Sequence, residues 1–139
     1  MQVYFIFPKI SLFGAYSKIS VSLQPEKNCT MYYVCKRLEI SSAHALHLSY
    51  ESKCESMHGH NWIVKIYCKS ETLNADGMVT DFTHIKKQIS GALDHKNLNE
   101  VFDFNPTAEN IARWICDHVE NAYRVEVWES EMNMAAYER

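Results

Sequence analysis

Three histidines and a cysteine cluster in the first half of the chain: His44, then Cys54-Glu55-Ser56-Met57-His58-Gly59-His60. A neutral imidazole nitrogen is a ligand for divalent metals. Three of them leave one tetrahedral position open, which is what catalytic zinc requires. If His58 and His60 lie on a strand, their side chains share a face, because strand side chains alternate with period two. Gly59 keeps the opposite face clear. A third imidazole from a neighbouring strand, His44, would complete the set. A lone His-Gly-His also fits a polar turn, but three imidazoles flanked by strand-like runs point to a metal. Spacing alone does not place Cys54. It can be a fourth ligand closing a structural site, a buried apolar thiol, or a thiolate base beside the metal.

The elements that must position these residues follow from periodicity. Tyr32, Val34, Leu38 and Ile40 share one parity and predict a strand of about ten residues leading to His44. Trp62, Val64, Ile66 and Cys68 predict a second strand that begins at the His-Gly-His. Antiparallel pairing about a loop centred near Glu51 sets His44 level with His58 and leaves Cys54 on the loop above them. Asn74-Ala75-Asp76-Gly77 is turn chemistry, and Met78–Phe82 reads as a short extended return. Asp81 or Thr83 can cap a helix carrying Ile85, Ile89 and Leu93 at four-residue spacing. An irregular stretch follows through Pro106. Thr107 can cap a longer helix with the stripe Ile111, Trp114, Ile115 and Val119. Tyr123, Val125 and Val127 predict a third strand, with Glu129 on the same face if no bulge intervenes, and Met132–Tyr137 a fourth. A carboxylate on that face needs a buried donor or a ligand. The order ββααββ predicts an α+β fold: a four-stranded antiparallel sheet with two helices on one face. Its exposed edges and open face predict oligomerisation.

The chain has 139 residues, 47% of them hydrophobic, and a net charge of −3. That is one domain with an ordinary core and no basic footprint for nucleic acid or an acidic membrane. No apolar run reaches the length of a membrane span. Cys29, Cys35, Cys54, Cys68 and Cys116 are odd in number and scattered, which predicts a reducing, cytoplasmic setting. Residues 1–30 differ from the rest, with Lys9, Lys18 and Lys27 against Glu26 alone, and their apolar pieces are broken by Pro8 and Lys9. A secretory signal would begin with a positive segment and end in a small-residue cleavage site, and neither is clear in them. We expect the functional domain to occupy residues 31–139 and residues 1–30 to be an appended or mis-started segment.

Several motifs in order resemble one family. Ile40-Ser41-Ser42-Ala43-His44 and His58-Gly59-His60-Asn61 resemble its two metal segments. Leu93-Asp94-His95 with Leu98-Asn99 is similar to its catalytic segment, and Pro106–Ala112 and Glu129-Ser130 to its pterin-binding segments. The family is that of the 6-pyruvoyltetrahydropterin and 6-carboxytetrahydropterin synthases, which has the tunnelling fold, a barrel assembled from several subunits. The three residues between Cys54 and His58 look like the carboxy type of queuosine biosynthesis; the pyruvoyl type usually has a longer interval. Ser130 stands where threonine is common, and Ala45 where arginine often follows the first ligand.

The resemblance implies a carbon–carbon lyase acting on 7,8-dihydroneopterin triphosphate, with acetaldehyde, triphosphate and 6-carboxy-5,6,7,8-tetrahydropterin as products. It implies zinc on His44, His58 and His60, Cys54 as general base, and His95 oriented by Asp94 as a second acid/base. Glu129 would hold the pterin's N–H groups as a bidentate acceptor, with Glu109 and Thr107 as further contacts. It also implies a homo-oligomer, a trimer-based hexamer or a tetramer, with sites at subunit interfaces and Glu129 and the zinc ligands drawn from different chains. Blander roles exist for each: a helix end for Asp94-His95, first-turn charge for Glu109, a structural ion pair for Glu129. His47 and His84 read as surface, His118 as a helix face, and Tyr50, Trp62 and Trp114 as packing residues. The rival functions are a pyruvoyl-type or related dihydroneopterin-processing enzyme and, from another class, a noncatalytic metal- or pterin-binding module.

Overall fold

A computed structural model describes residues 30–139. The expectation for residues 1–30 therefore lies, apart from Thr30, outside the described residues. Strand β1 runs Tyr32–His44 and β2 His58–Ser70, in unbroken antiparallel register from Tyr32 opposite Ser70 to His44 opposite His58. β3 (Ala122–Trp128) pairs with β2, and β4 (Met134–Glu138) with β3, giving one sheet in the order β1-β2-β3-β4.

Period-two alternation sends Leu38, Ile40, Trp62, Val64, Ile66, Cys68, Val125 and Val127 to the covered face, where all are buried. Helix α1 (Phe82–Leu93) covers them with Ile85, Ile89 and Leu93, and α3 (Ala108–His118) with Ile111, Ala112, Ile115 and Cys116. Each large aliphatic side chain so buried contributes about 1.5–3 kcal/mol relative to exposure. Asp81 caps α1 by accepting from the Thr83 amide (2.7 Å), and Thr107 caps α3 by accepting from the Asn110 amide (3.3 Å).

Four expectations need correction. Met78–Phe82 does not form an extended return: Val79 and Thr80 form a bend, and Phe82 already opens α1. The stretch expected to be irregular contains a one-turn helix, α2 (Leu98–Val101), capped by the Asn97 side chain, so three helices cover the sheet rather than two. Its single buried apolar side chain, Leu98, is too little for a periodic pattern to reveal. The last strand begins at Met134, not Met132, which is 90% exposed in the preceding turn.

The fourth correction concerns Tyr123. The β2–β3 register slips between Tyr67 and Cys68, which face Arg124 and Ala122. The extra residue shifts parity, so Ala122 takes the covered face, while Tyr123 meets Tyr33 (6.1 Å between centroids) and Tyr67 (6.5 Å) on the open one. Downstream the register runs evenly to Trp128, so the reading of Glu129 is unaffected.

The open face carries Tyr33, 64% exposed, Cys35 and Met134, around a charged row in which Glu126 is ringed by Arg124 (3.1 Å) and Lys65 (3.7 Å). Burial raises the Glu126 pKa, but the hydrogen bonds from Arg124 and the charge of Lys65 outweigh it and hold the carboxyl below its ordinary value.

Candidate metal centre and adjoining cavity

At the end of the β1–β2 hairpin the register brings His44 and His58 opposite each other, and His60 follows one pleat along. One ring nitrogen from each of His44, His58 and His60 lies within 4.8 Å of the others. Buried Trp62 packs edge-on beneath His44 (4.9 Å) and His60 (4.8 Å), stiffening the floor.

The hydrogen bonds around these rings carry more information than their proximity. His44 Nδ1 lies 2.8 Å from the Pro106 carbonyl oxygen, and His58 Nδ1 lies 2.8 Å from that of Ser56. A carbonyl accepts only, so each Nδ1 bears the proton and each neutral ring presents an unprotonated Nε2. Those two Nε2 atoms face each other at 3.1 Å. Two lone pairs do not bond; a proton shared between them or a metal ion resolves the contact. Tetrahedral zinc, with Zn–N of about 2.0–2.1 Å, separates its ligand nitrogens by about 3.3 Å. The donor set therefore fits a metal of that kind. Burial holds the His44 pKa below its ordinary value, so at neutral pH this ring is uncharged, the form in which an imidazole can bind a metal.

Cys54 does not join the three-histidine group. It sits half-buried in a short 3-10 turn, Lys53–Glu55, that Ser52 and Glu55 cap reciprocally, and its carbonyl accepts from the Leu46 amide at 2.8 Å. Asp94 and His95 end α1 at the edge of β1. Asp94 Oδ1 accepts from the Ser41 amide (2.9 Å), the His95 amide donates to the Ser41 carbonyl (2.6 Å), and His95 Nδ1 lies 3.2 Å from Asp94 Oδ1. His95 has φ 57, the left-handed conformation usual for glycine after a helix end. Its side chain is 82% exposed. Helix terminus and paired imidazole are thus both true of this segment.

The Ser41 amide, with a smaller contribution from His95, holds the Asp94 carboxyl below its ordinary pKa against partial burial. A carboxylate with a depressed folded pKa stabilises fully above its unfolded value of about 3.9, and that stability is lost as pH falls through the lower folded value. Urea unfolding of Asp94→Asn should therefore lose less stability than wild type between about pH 5 and about pH 3. Equal losses would mean that the Asp94 charge does not hold this segment.

Beside the three-histidine cluster, Leu46, Leu48, Tyr50, Thr107, Glu109, Glu129 and Ala135 line a cavity of about 300 Å³. Glu129 closes the β3–β4 turn through its amide to the Asn133 carbonyl (3.1 Å). Thr107 spends its oxygen on the α3 cap yet keeps its own hydroxyl hydrogen to donate. Tyr50, expected to pack, is 67% exposed at the cavity rim. Exposed His47 and His84 lie on the surface and His118 on the outer side of α3, stacked on Trp114. Sequence reasoning quoted Asn99 only as part of a motif, without a role, and missed Asn105; the side chains of both bond backbone far away in the chain.

A profile of the family described as 6-pyruvoyl tetrahydropterin synthase matches residues 33–139. The chain belongs to that family. The Synechocystis 6-carboxy-5,6,7,8-tetrahydropterin synthase is 33% identical over 121 residues, 77% of this chain and 93% of that protein. The dihydroneopterin monophosphate aldolase of Pyrococcus furiosus is 37% identical over 86 residues, 60% of this chain and 70% of that protein. A relative from Pyrococcus horikoshii reaches 44% over 72 residues, a match spanning 45% of its length. Among solved structures, the Caenorhabditis elegans 6-pyruvoyl tetrahydropterin synthase superposes with a TM-score of 0.65 at 26% identity, covering 79% of this chain and 96% of that one. Among the described residues, no helix is long and apolar enough to cross a membrane.

Proposed function

We propose that this pterin-synthase-family protein is a zinc-dependent carbon–carbon lyase. In this reading it converts 7,8-dihydroneopterin triphosphate to 6-carboxy-5,6,7,8-tetrahydropterin, releasing acetaldehyde and triphosphate on the way to 7-deazaguanines such as queuosine. The carrying observation is the opposed pair of Nε2 lone pairs in the three-histidine cluster, next to a cavity with two carboxylates. The short Cys54–His58 interval and the Synechocystis relative favour the carboxy type.

In this reading His44, His58 and His60 hold zinc, which supplies Lewis-acid polarisation of the substrate's side-chain oxygens. Glu129 accepts two N–H bonds from the pterin ring and so fixes which carbon meets the base. Glu109 and Thr107 border the same cavity and complete the ring's contacts. Cys54, tethered through Leu46 to the strand of His44, takes the side-chain proton as thiolate. His95, its Nδ1–H held by Asp94, accepts and returns a proton at Nε2. The free thiols of Cys35, Cys54, Cys68 and Cys116 suit a reducing cytoplasm.

The left-handed backbone at His95 adds a check on this role. Glycine there should raise stability by about 0.5–1 kcal/mol while abolishing activity, since the strain disappears together with the imidazole. A stabilised and fully active His95→Gly protein would remove His95 from the mechanism.

The open sheet face and its edges also support assembly into an oligomeric barrel of several copies. A second reading, favoured by the Pyrococcus furiosus relative, is aldol cleavage of a dihydroneopterin phosphate. Incubating zinc-loaded protein with 7,8-dihydroneopterin triphosphate separates the readings. Acetaldehyde with a carboxypterin supports the lyase; a pyruvoylpterin without acetaldehyde means the sister activity. A hydroxymethylpterin with a phosphorylated two-carbon aldehyde means the aldolase. No turnover by folded, zinc-bound protein would sink all three for this substrate and leave a metal-binding module.

A further inference from the structure

Beyond His44 the chain leaves β1 but stays extended, and two side-chain amides stand in for the missing strand. The Ala43 amide donates to the Lys96 carbonyl (3.0 Å). Two residues on, the Ala45 amide donates to Asn99 Oδ1 (2.8 Å) while Asn99 Nδ2 donates back to the Ala45 carbonyl (2.7 Å). Two further on, the His47 amide donates to Asn105 Oδ1 (3.0 Å) and Asn105 Nδ2 donates to the His47 carbonyl (2.9 Å). A primary amide offers one acceptor and a neighbouring donor, the pair that a residue on an antiparallel strand would offer. The contacts at 43, 45 and 47 keep period two. His44, Leu46 and Leu48 therefore alternate with the clamped residues, and Leu46 and Leu48 line the cavity. From the other side the Leu46 amide holds the Cys54 carbonyl.

Each asparagine is itself anchored to a segment of the site. The Asn99 amide donates to Asn97 Oδ1 (3.2 Å), just beyond Asp94-His95. The Asn105 carbonyl accepts from Asn110 Nδ2 (3.0 Å) and the Thr107 amide (2.8 Å), and the next carbonyl, that of Pro106, orients His44.

We propose that Asn99 and Asn105 are positioning residues of the metal centre: their bidentate clamps on Ala45 and His47 set the place of His44 and, through Leu46, of Cys54. They touch neither metal nor substrate. Asparagine is required because both halves of the amide are used. Aspartate keeps the size and the acceptor but puts a carboxylate oxygen against the Ala45 or His47 carbonyl.

Asn99→Asp and Asn105→Asp should each weaken zinc binding by about 10–100-fold in chelator competition, as loss of supporting contacts around metal ligands does. The control is Asn121→Asp, which disturbs a side-chain bond to the Val79 carbonyl (2.9 Å) in a turn away from the site. It should keep zinc affinity within about twofold of wild type even where it loses as much thermal stability. In the wild-type protein, zinc should slow hydrogen exchange at the Ala45 and His47 amides, because the coupling is reciprocal. Unchanged zinc affinity in both clamp variants, an equal fall in Asn121→Asp, or indifferent exchange at Ala45 and His47 would overturn the proposal. It rests on the metal-centre reading above. Wild-type protein that binds no zinc refutes both, whereas zinc-binding wild type with indifferent clamp variants refutes this one alone.

Discussion

Cys54→Ala protein should bind its full complement of zinc and form almost no product. The two halves of that expectation have separate origins. Metal retention follows from the three-histidine group, which has a complete donor set without the thiol. Backbone disturbance is small because Cys54 is held by main-chain bonds, its amide to Ser52 Oγ (3.2 Å) and its carbonyl from the Leu46 amide, and alanine makes both. Loss of turnover follows from the proposed role as base, since a positioned general base contributes about 10²–10⁴-fold. Metal analysis beside the product assay reads both. A protein that loses zinc would make Cys54 a fourth ligand and the site structural. One that keeps both zinc and activity would require a different base.

Mixing two inactive variants should restore activity in one combination and not in another. Glu129 lies in a cavity walled by the residues that follow His44 in the same chain. This supports a pocket in which Glu129, the three-histidine cluster and Cys54 come from one chain, unlike the split implied by family resemblance. His95 is different: beyond its contact with Asp94 its ring is turned to solvent at the sheet edge, open to a neighbouring copy in the proposed oligomer. With free subunit exchange and pockets shared in this way, Cys54→Ala mixed with His95→Ala should recover about one quarter of wild-type activity. Cys54→Ala mixed with Glu129→Ala should stay inactive. The measurement is specific activity against mixing ratio, with exchange verified by mass-tagged subunits. Recovery in the Glu129 mixture would return Glu129 to a partner chain, and no recovery in the His95 mixture would place Asp94-His95 in their own chain's pocket.

Much of the frame was readable from local periodicity. Alternation over Tyr32–Ile40 and Trp62–Cys68, with a loop centred near Glu51, is enough to bring His44 opposite His58, because hairpin register is an arithmetic consequence of the turn. The helices over Ile85–Leu93 and from Thr107 follow from four-residue spacing and a capping side chain. The parity of Tyr123 was not readable, since a bulge is one extra residue that leaves composition unchanged. Nor was α2, too short to repeat.

By itself, then, the sequence determined the strands, the two main helices, the family, and the meeting of three imidazoles at one hairpin end. All of these depend on neighbours in the chain or on a register set by one loop. Tertiary structure alone decided the chemistry of the meeting. The Pro106 carbonyl, contributed 62 residues away, turns the His44 ring so that its free nitrogen faces that of His58. The Asn99 and Asn105 amides reach back 54 and 58 residues to hold the segment that follows it. Hydrogen-bond direction across such distances has no period and no local composition, so it exists only once the chain is folded.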